Sequence, residues 1–93
     1  MYILTEARYE KKTRRLLPGK NGNTKLWAYP PALFNNRENA ERAMGRNVTD
    51  VVNNAKAKGT FKKVHVSTSI KVVECTDCIK IFRISENNPE DEF

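Results

Sequence analysis

The amino-acid sequence predicts an α+β fold: one small domain with a mainly antiparallel sheet of about four strands, in the order ββααββ, and two short helices on one face. Three observations carry that expectation. Val64, Val66, Thr68, Ile70 and Val72 alternate with Lys63, His65, Ser67, Ser69 and Lys71, the period of an extended segment with one apolar and one polar face. Val48, Val51, Val52 and Ala55 fall at the i, i+3, i+4, i+7 spacing of an amphipathic helix. Two runs rich in β-branched and aromatic residues flank the turn dipeptides Pro18-Gly19 and Asn21-Gly22, which reads as a hairpin.

Taken in order, the first strand opens at Tyr2-Ile3-Leu4 and runs through Ala7 and Tyr9, with Thr5, Glu6 and Arg8 interleaved. A turn region from Leu16 to Asn23 leads to a second strand, Lys25-Leu26-Trp27-Ala28-Tyr29, ended by Pro30-Pro31 because proline has no N–H for the ladder. Asn35 followed three residues later by Glu38 resembles a capping box; Ala40, Ala43 and Met44 then share a face, and Gly45 stops the helix. Asn47 or Thr49 caps a second helix that ends at Gly59. The third strand is the alternating run from Lys63 to Val72, the chain turns between Glu74 and Asp77, and Cys78 to Ile84 returns as the fourth. The sheet should therefore have one helix-covered face and one wet face. Residues 1–85 form the domain, and 86–93, with Glu86, Glu90, Asp91 and Glu92, read as a disordered acidic tail.

The chain has 93 residues, enough for one core that buries about 60–65% of the surface exposed on unfolding. With 39% hydrophobic and 30% charged residues it is neither disordered in composition nor apolar enough for a membrane. After Met1 no basic leader or long apolar run follows, which points to the cytosol. The formal net charge is +6, unevenly spread. Residues 1–63 hold 14 Lys plus Arg against five Asp plus Glu, whereas 64–93 hold three against six, so the positive potential belongs to the first two thirds of the chain.

Candidates for catalysis or cofactor binding are few. His65 is the only histidine; Ser67 and Ser69 share its predicted face, but no acid orients it, so it reads as an exposed structural side chain. Cys75 and Cys78 have the spacing of two zinc ligands, yet one chain offers no convincing third and fourth ligand. A four-thiolate site would need a dimer, and reduced thiols beside a hairpin turn are the simpler reading. Gly19 to Lys25 contains the letters of a phosphate-binding loop, but Gly22 is followed by Asn23-Thr24-Lys25 and a strand rather than by Lys-Ser/Thr at a helix start. No catalytic residue, cofactor or bound metal is expected.

The basic residues form the one constellation with a mechanism. Arg8, Lys11, Lys12, Arg14, Arg15, Lys20 and Lys25 occupy a single 18-residue stretch opposed by Glu10 alone. A cluster this dense repels itself and is relieved by an anionic partner, most commonly a nucleic-acid backbone. Tyr9 and Tyr29 flank it as candidate platforms for base stacking, while Trp27 reads as core. Lys56, Lys58, Lys62 and Lys63 form a second group at the end of the second helix, where two of the four are explained by the helix dipole. Arg37, Arg42 and Arg46 read equally well as a solvated face, with Arg42 able to pair with Glu38. RNA is favoured over duplex DNA because no recognition helix is evident and the cations concentrate on an irregular loop. The alternative is a basic face that docks on an acidic host protein. A distant third is a small toxin-like ribonuclease with His65 moving protons.

The strand opening Met1-Tyr2-Ile3-Leu4, the cationic hairpin and the acidic Glu90-Asp91-Glu92 resemble small accessory proteins of T-even-type bacteriophages, including the RNA-binding kind that inhibits a host toxin-antitoxin system. The resemblance covers the whole chain and carries no residue roles. It implies a non-enzymatic inhibitor in the host cytoplasm that engages a ribonucleoprotein or protein through RNA, and an ability to form homo-oligomers.

Overall fold

A computed structural model describes residues 1–13, 15–16 and 32–86. Its organising element is β1 (Tyr2–Glu10), whose β-branched and aromatic residues suit a strand with neighbours on both edges. On one edge β1 pairs antiparallel over nine positions with the last strand, from Tyr2↔Glu86 to Glu10↔Cys78. On the other edge it takes two short strands end to end: β3 (Ala32–Phe34) opposite Tyr2–Leu4, and β2 (Arg15–Leu16) opposite Tyr9 and Glu10. The helix α1 (Arg37–Lys58) follows, then β4 (Phe61–Val66), β5 (Ile70–Cys75) and β6 (Cys78–Glu86). The sheet order is β2-β1-β6-β5-β4, with β3 beside β1, and every pairing is antiparallel.

The α+β class and the antiparallel sheet match the sequence expectation, but the two short helices are one. Ala40, Ala43, Met44, Val48 and Ala55 are all buried on α1, so the apolar face keeps its register straight through Gly45. Glycine in a helix costs roughly 1 kcal/mol relative to alanine, less than a continuous packed face supplies. Thr49, expected to cap a second helix, instead donates its hydroxyl to the Gly45 carbonyl at 2.9 Å. The cap at the start is Asn36, not Asn35, and its side chain accepts from the Asn39 N–H at 2.9 Å. Gly59 does end the helix, in the left-handed conformation with φ 73°, where a residue without Cβ is unstrained.

The long third strand is also corrected. Ser67 to Ser69 is a turn, with the Ser67 N–H and hydroxyl both donating to the Ile70 carbonyl. The alternation looked unbroken because this turn changes which face it serves. Val64 pairs with Val73 and Val66 with Lys71, so even positions of β4 share a face with odd positions of β5. The second strand expected at 25–29 and the turn at 18–23 lie outside the described residues. The basic stretch is not wholly irregular, since Arg15 and Leu16 pair with β1. Glu86, assigned to the tail, is the last residue of β6, and 87–93 lie outside the described residues.

The core lies between α1 and the sheet: Leu4, Val73, Cys75, Cys78, Phe82 and Ile84 meet Ala40, Ala43, Met44, Val48 and Ala55. Phe82 is fully buried, and burying a side chain of that size contributes about 1.5–3 kcal/mol. The opposite face is not the wet face expected. By strand alternation it carries Ile3, Ala7, Tyr9, Leu33, Ile70, Val72, Ile79 and Ile81, among which Ile3 and Ala7 are buried outside the helix-side core.

Candidate nucleic-acid interface

Three junctions meet at one end of the domain. The Thr76-Asp77 turn joins β5 to β6; the Lys11 N–H, just past β1, donates to the Asp77 carbonyl at 3.0 Å, and the Thr76 N–H donates to the Thr60 carbonyl at 2.8 Å. These backbone bonds bring together the ends of β1 and α1 and the start of β4. The side chains carried there include Arg8, Lys11, Lys12, Lys56, Lys58, Lys62, Lys63 and Lys80, against Glu10, Glu74 and Asp77. Arg8, Lys11 and Lys12 of the first basic group and Lys56 to Lys63 of the second, more than forty residues apart in sequence, thus share one end of the molecule.

Not all of these charges are equally available. Lys11 Nζ lies 2.8 Å from Glu74 Oε2. The hydrogen bond from Lys11 holds the Glu74 carboxyl below its ordinary value of 4.5 against some desolvation, and Lys63 and Lys62 add to the lowering. His65 Nε2 is 3.9 Å from the other Glu74 oxygen, beyond hydrogen-bond reach; the side chain is exposed on β4 and faces away from α1. Lys56 Nζ sits 5.3 Å from the centre of the Phe61 ring, a cation–π contact. Lys12, Lys58, Lys62 and Lys63 are exposed.

Arg8 is the least satisfied, and Lys80 stands opposite it. They are Cα partners across β1 and β6, and both line a cleft with Lys58 from the last turn of α1. Like charges directly opposite on adjacent strands destabilise a sheet. Arg8 Nε is moreover buried without a hydrogen-bond partner, and an unmet buried donor costs about 1–3 kcal/mol.

Tyr9, the described aromatic of the proposed stacking pair, is half-buried on the face away from α1 and lines a shallow depression with Lys11 and Ile79. Arg14, Lys20, Lys25, Trp27 and Tyr29 lie outside the described residues. Cys75 and Cys78 are buried beneath α1, at 3% and 4% exposure. Burial pushes the Cys75 thiol up, and the neighbouring Cys78 adds to the rise. Among the described residues no group of three or more His, Cys, Asp or Glu side chains is placed to hold a metal ion.

Sequence reasoning missed Lys80 and Glu74. Lys80 is one of three cations in the acidic third of the chain, and only the strand order, open from sequence, sets it opposite Arg8. Glu74 was read as a turn residue, whereas it is the carboxylate among Lys11, Lys62 and Lys63. No family model, curated protein or solved structure matches this chain. Among the described residues no helix is long and apolar enough to cross a membrane.

Proposed function

We propose that the protein is a small non-enzymatic nucleic-acid-binding protein that prefers RNA and meets it with the cationic end of the domain. The observation that supports this reading most is the convergence of cations from β1, α1, β4 and β6 on one end, where carboxylates are outnumbered. Phosphates are the common partner of such a surface, and Tyr9 with Ile79 offers an unpaired base an aromatic and apolar neighbour on the adjoining face. The length of α1 removes helix shortness as an argument against duplex DNA. Its exposed side instead mixes Arg42 and Arg46 with Glu38, Glu41 and Asp50, a poor match for a phosphate-lined groove. A wider role, inhibition of a host system through RNA, rests on the whole-chain resemblance.

Purification with and without nuclease and high salt tests the reading. Co-purifying nucleic acid, seen as excess absorbance at 260 nm, is expected without the treatment. Single-stranded RNA should bind with a logarithmic salt slope of about −0.7 per phosphate neutralised, and changing Lys11, Lys12, Arg14 and Arg15 to Ala should flatten that slope. Affinity unchanged in the quadruple variant sinks the proposal. Capture of an acidic protein that survives nuclease favours the docking alternative.

A further inference from the structure

We propose that the cleft where the last turn of α1 meets β1 and β6 binds one phosphate group, held by Arg8, Lys58 and Lys80. The cleft encloses about 100 Å³ and is also lined by Asn54, Thr60 and Asp77. That is well below the roughly 300–1,000 Å³ of a site for a drug-sized ligand and suits a single small oxyanion. Arg8 and Lys80 oppose each other across two strands, Lys58 adds a third positive charge, and among the described residues Asp77 is the only carboxylate on the lining. The arrangement is self-repelling when empty and satisfied when an anion sits among the three.

Arg8 gives the second, independent observation. Its Nε is buried without a hydrogen-bond partner, an unmet donor for which an ion held by the same guanidinium is one explanation. A guanidinium fork matches phosphate oxygens in pairs, and the two ammonium groups complete the set as point charges. The negative end of the α1 dipole also lies here and favours the cations rather than an anion, but two of its last four carbonyls are taken up. Those of Ala55 and Lys56 accept from the Gly59 N–H, and that of Ala55 also from Thr60. This geometry supports the site independently of the nucleic-acid reading. The phosphate can come from a nucleic-acid strand or from free phosphate or a small phosphomonoester.

Titration of isotope-labelled full chain with inorganic phosphate, against chloride at matched ionic strength, tests it by nuclear magnetic resonance. Saturable shifts are expected at the amides of Arg8, Lys58, Thr60 and Lys80. Lys80→Gln should weaken phosphate by about tenfold, the effect of removing one charge-assisted hydrogen bond. Lys58→Gln, at an exposed helix end outside the sheet, should weaken it several-fold without endangering the fold. Shifts reproduced by chloride, or affinity unchanged in both variants, overturn the proposal. Displacement of phosphate by a single-stranded oligonucleotide assigns the site to nucleic acid, and bound phosphate that resists displacement assigns it to the free anion. RNA binding that persists at full strength in a protein without the phosphate shifts separates the failure of this site from failure of the nucleic-acid reading.

Discussion

The two ends of α1 treat positive charge differently. At its start, Arg37 Nε reaches Glu41 at 3.0 Å, its other nitrogen reaches the Ser69 hydroxyl at 2.6 Å, and Arg42 pairs with Glu38. At its end, Lys58 has no carboxylate partner among the described residues and faces Arg8 and Lys80 across a cleft. The same residue types thus serve internal pairing at one end and a concentrated field at the other. Local composition does not distinguish a solvated cation from one held for a partner; what it faces across the fold does.

The largest expected contrast is in binding. Replacing Lys12, Lys58, Lys62 and Lys63 by Gln at the cationic end should lower single-stranded RNA affinity by at least about tenfold and flatten the salt slope by roughly 0.7 for each phosphate no longer neutralised. The same four-charge reduction through Arg37, Arg42, Lys71 and Arg83 should do far less. Equal weakening in a filter-binding series would erase the distinction between the ends.

The helix termini come next, read by urea denaturation. Gly59→Ala places a Cβ at φ 73° and should destabilise by about 1–2 kcal/mol. Asn36→Ala removes the cap on Asn39 and should cost about 0.5–2 kcal/mol. Between them, Gly45→Ala should stabilise by about 0.5–1 kcal/mol, since an added Cβ meets nothing within 4 Å. Loss of stability there would argue for a break at Gly45, and for two helices rather than one.

The smallest effect is the pH dependence of the Lys11–Glu74 ion pair. Glu74 is held below its ordinary value of 4.5 in the folded protein, so its contribution is complete above that value and fades as the pH falls through the lower folded one. Parent and Glu74→Gln melting temperatures should therefore differ at neutral pH and converge in acid. A gap that stays constant into strong acid contradicts the assignment.

Much of this frame was legible from local chemistry. Gly59 as a stop, the strand from Tyr2, the turn between Glu74 and Asp77 and the return from Cys78 all follow from spacing and turn residues. Gly45 misled because a breaker was weighed against its neighbours alone, while Met44 and Val48 pack on the same sheet. Ser67 to Ser69 misled because a short turn preserves alternation in sequence while exchanging faces in space. The charged end was half legible: Lys56 to Lys63 were read as a group, but their place beside Lys11 and Lys12 depends on Thr76 meeting Thr60, and the pairing of Arg8 with Lys80 depends on strand order.

That pairing has a consequence for how the chain is made. β1 emerges from the ribosome first and β6 last among the described strands, so the nine-position ladder between them waits for almost the entire chain. Pairings of such separation close late and slowly. A nascent or truncated chain without β6 already carries most of its lysines and arginines but lacks the Cys78 and Lys80 wall of the cleft. The juxtaposition of Arg8 and Lys80, and with it the proposed phosphate site, is thus completed only when β6 docks.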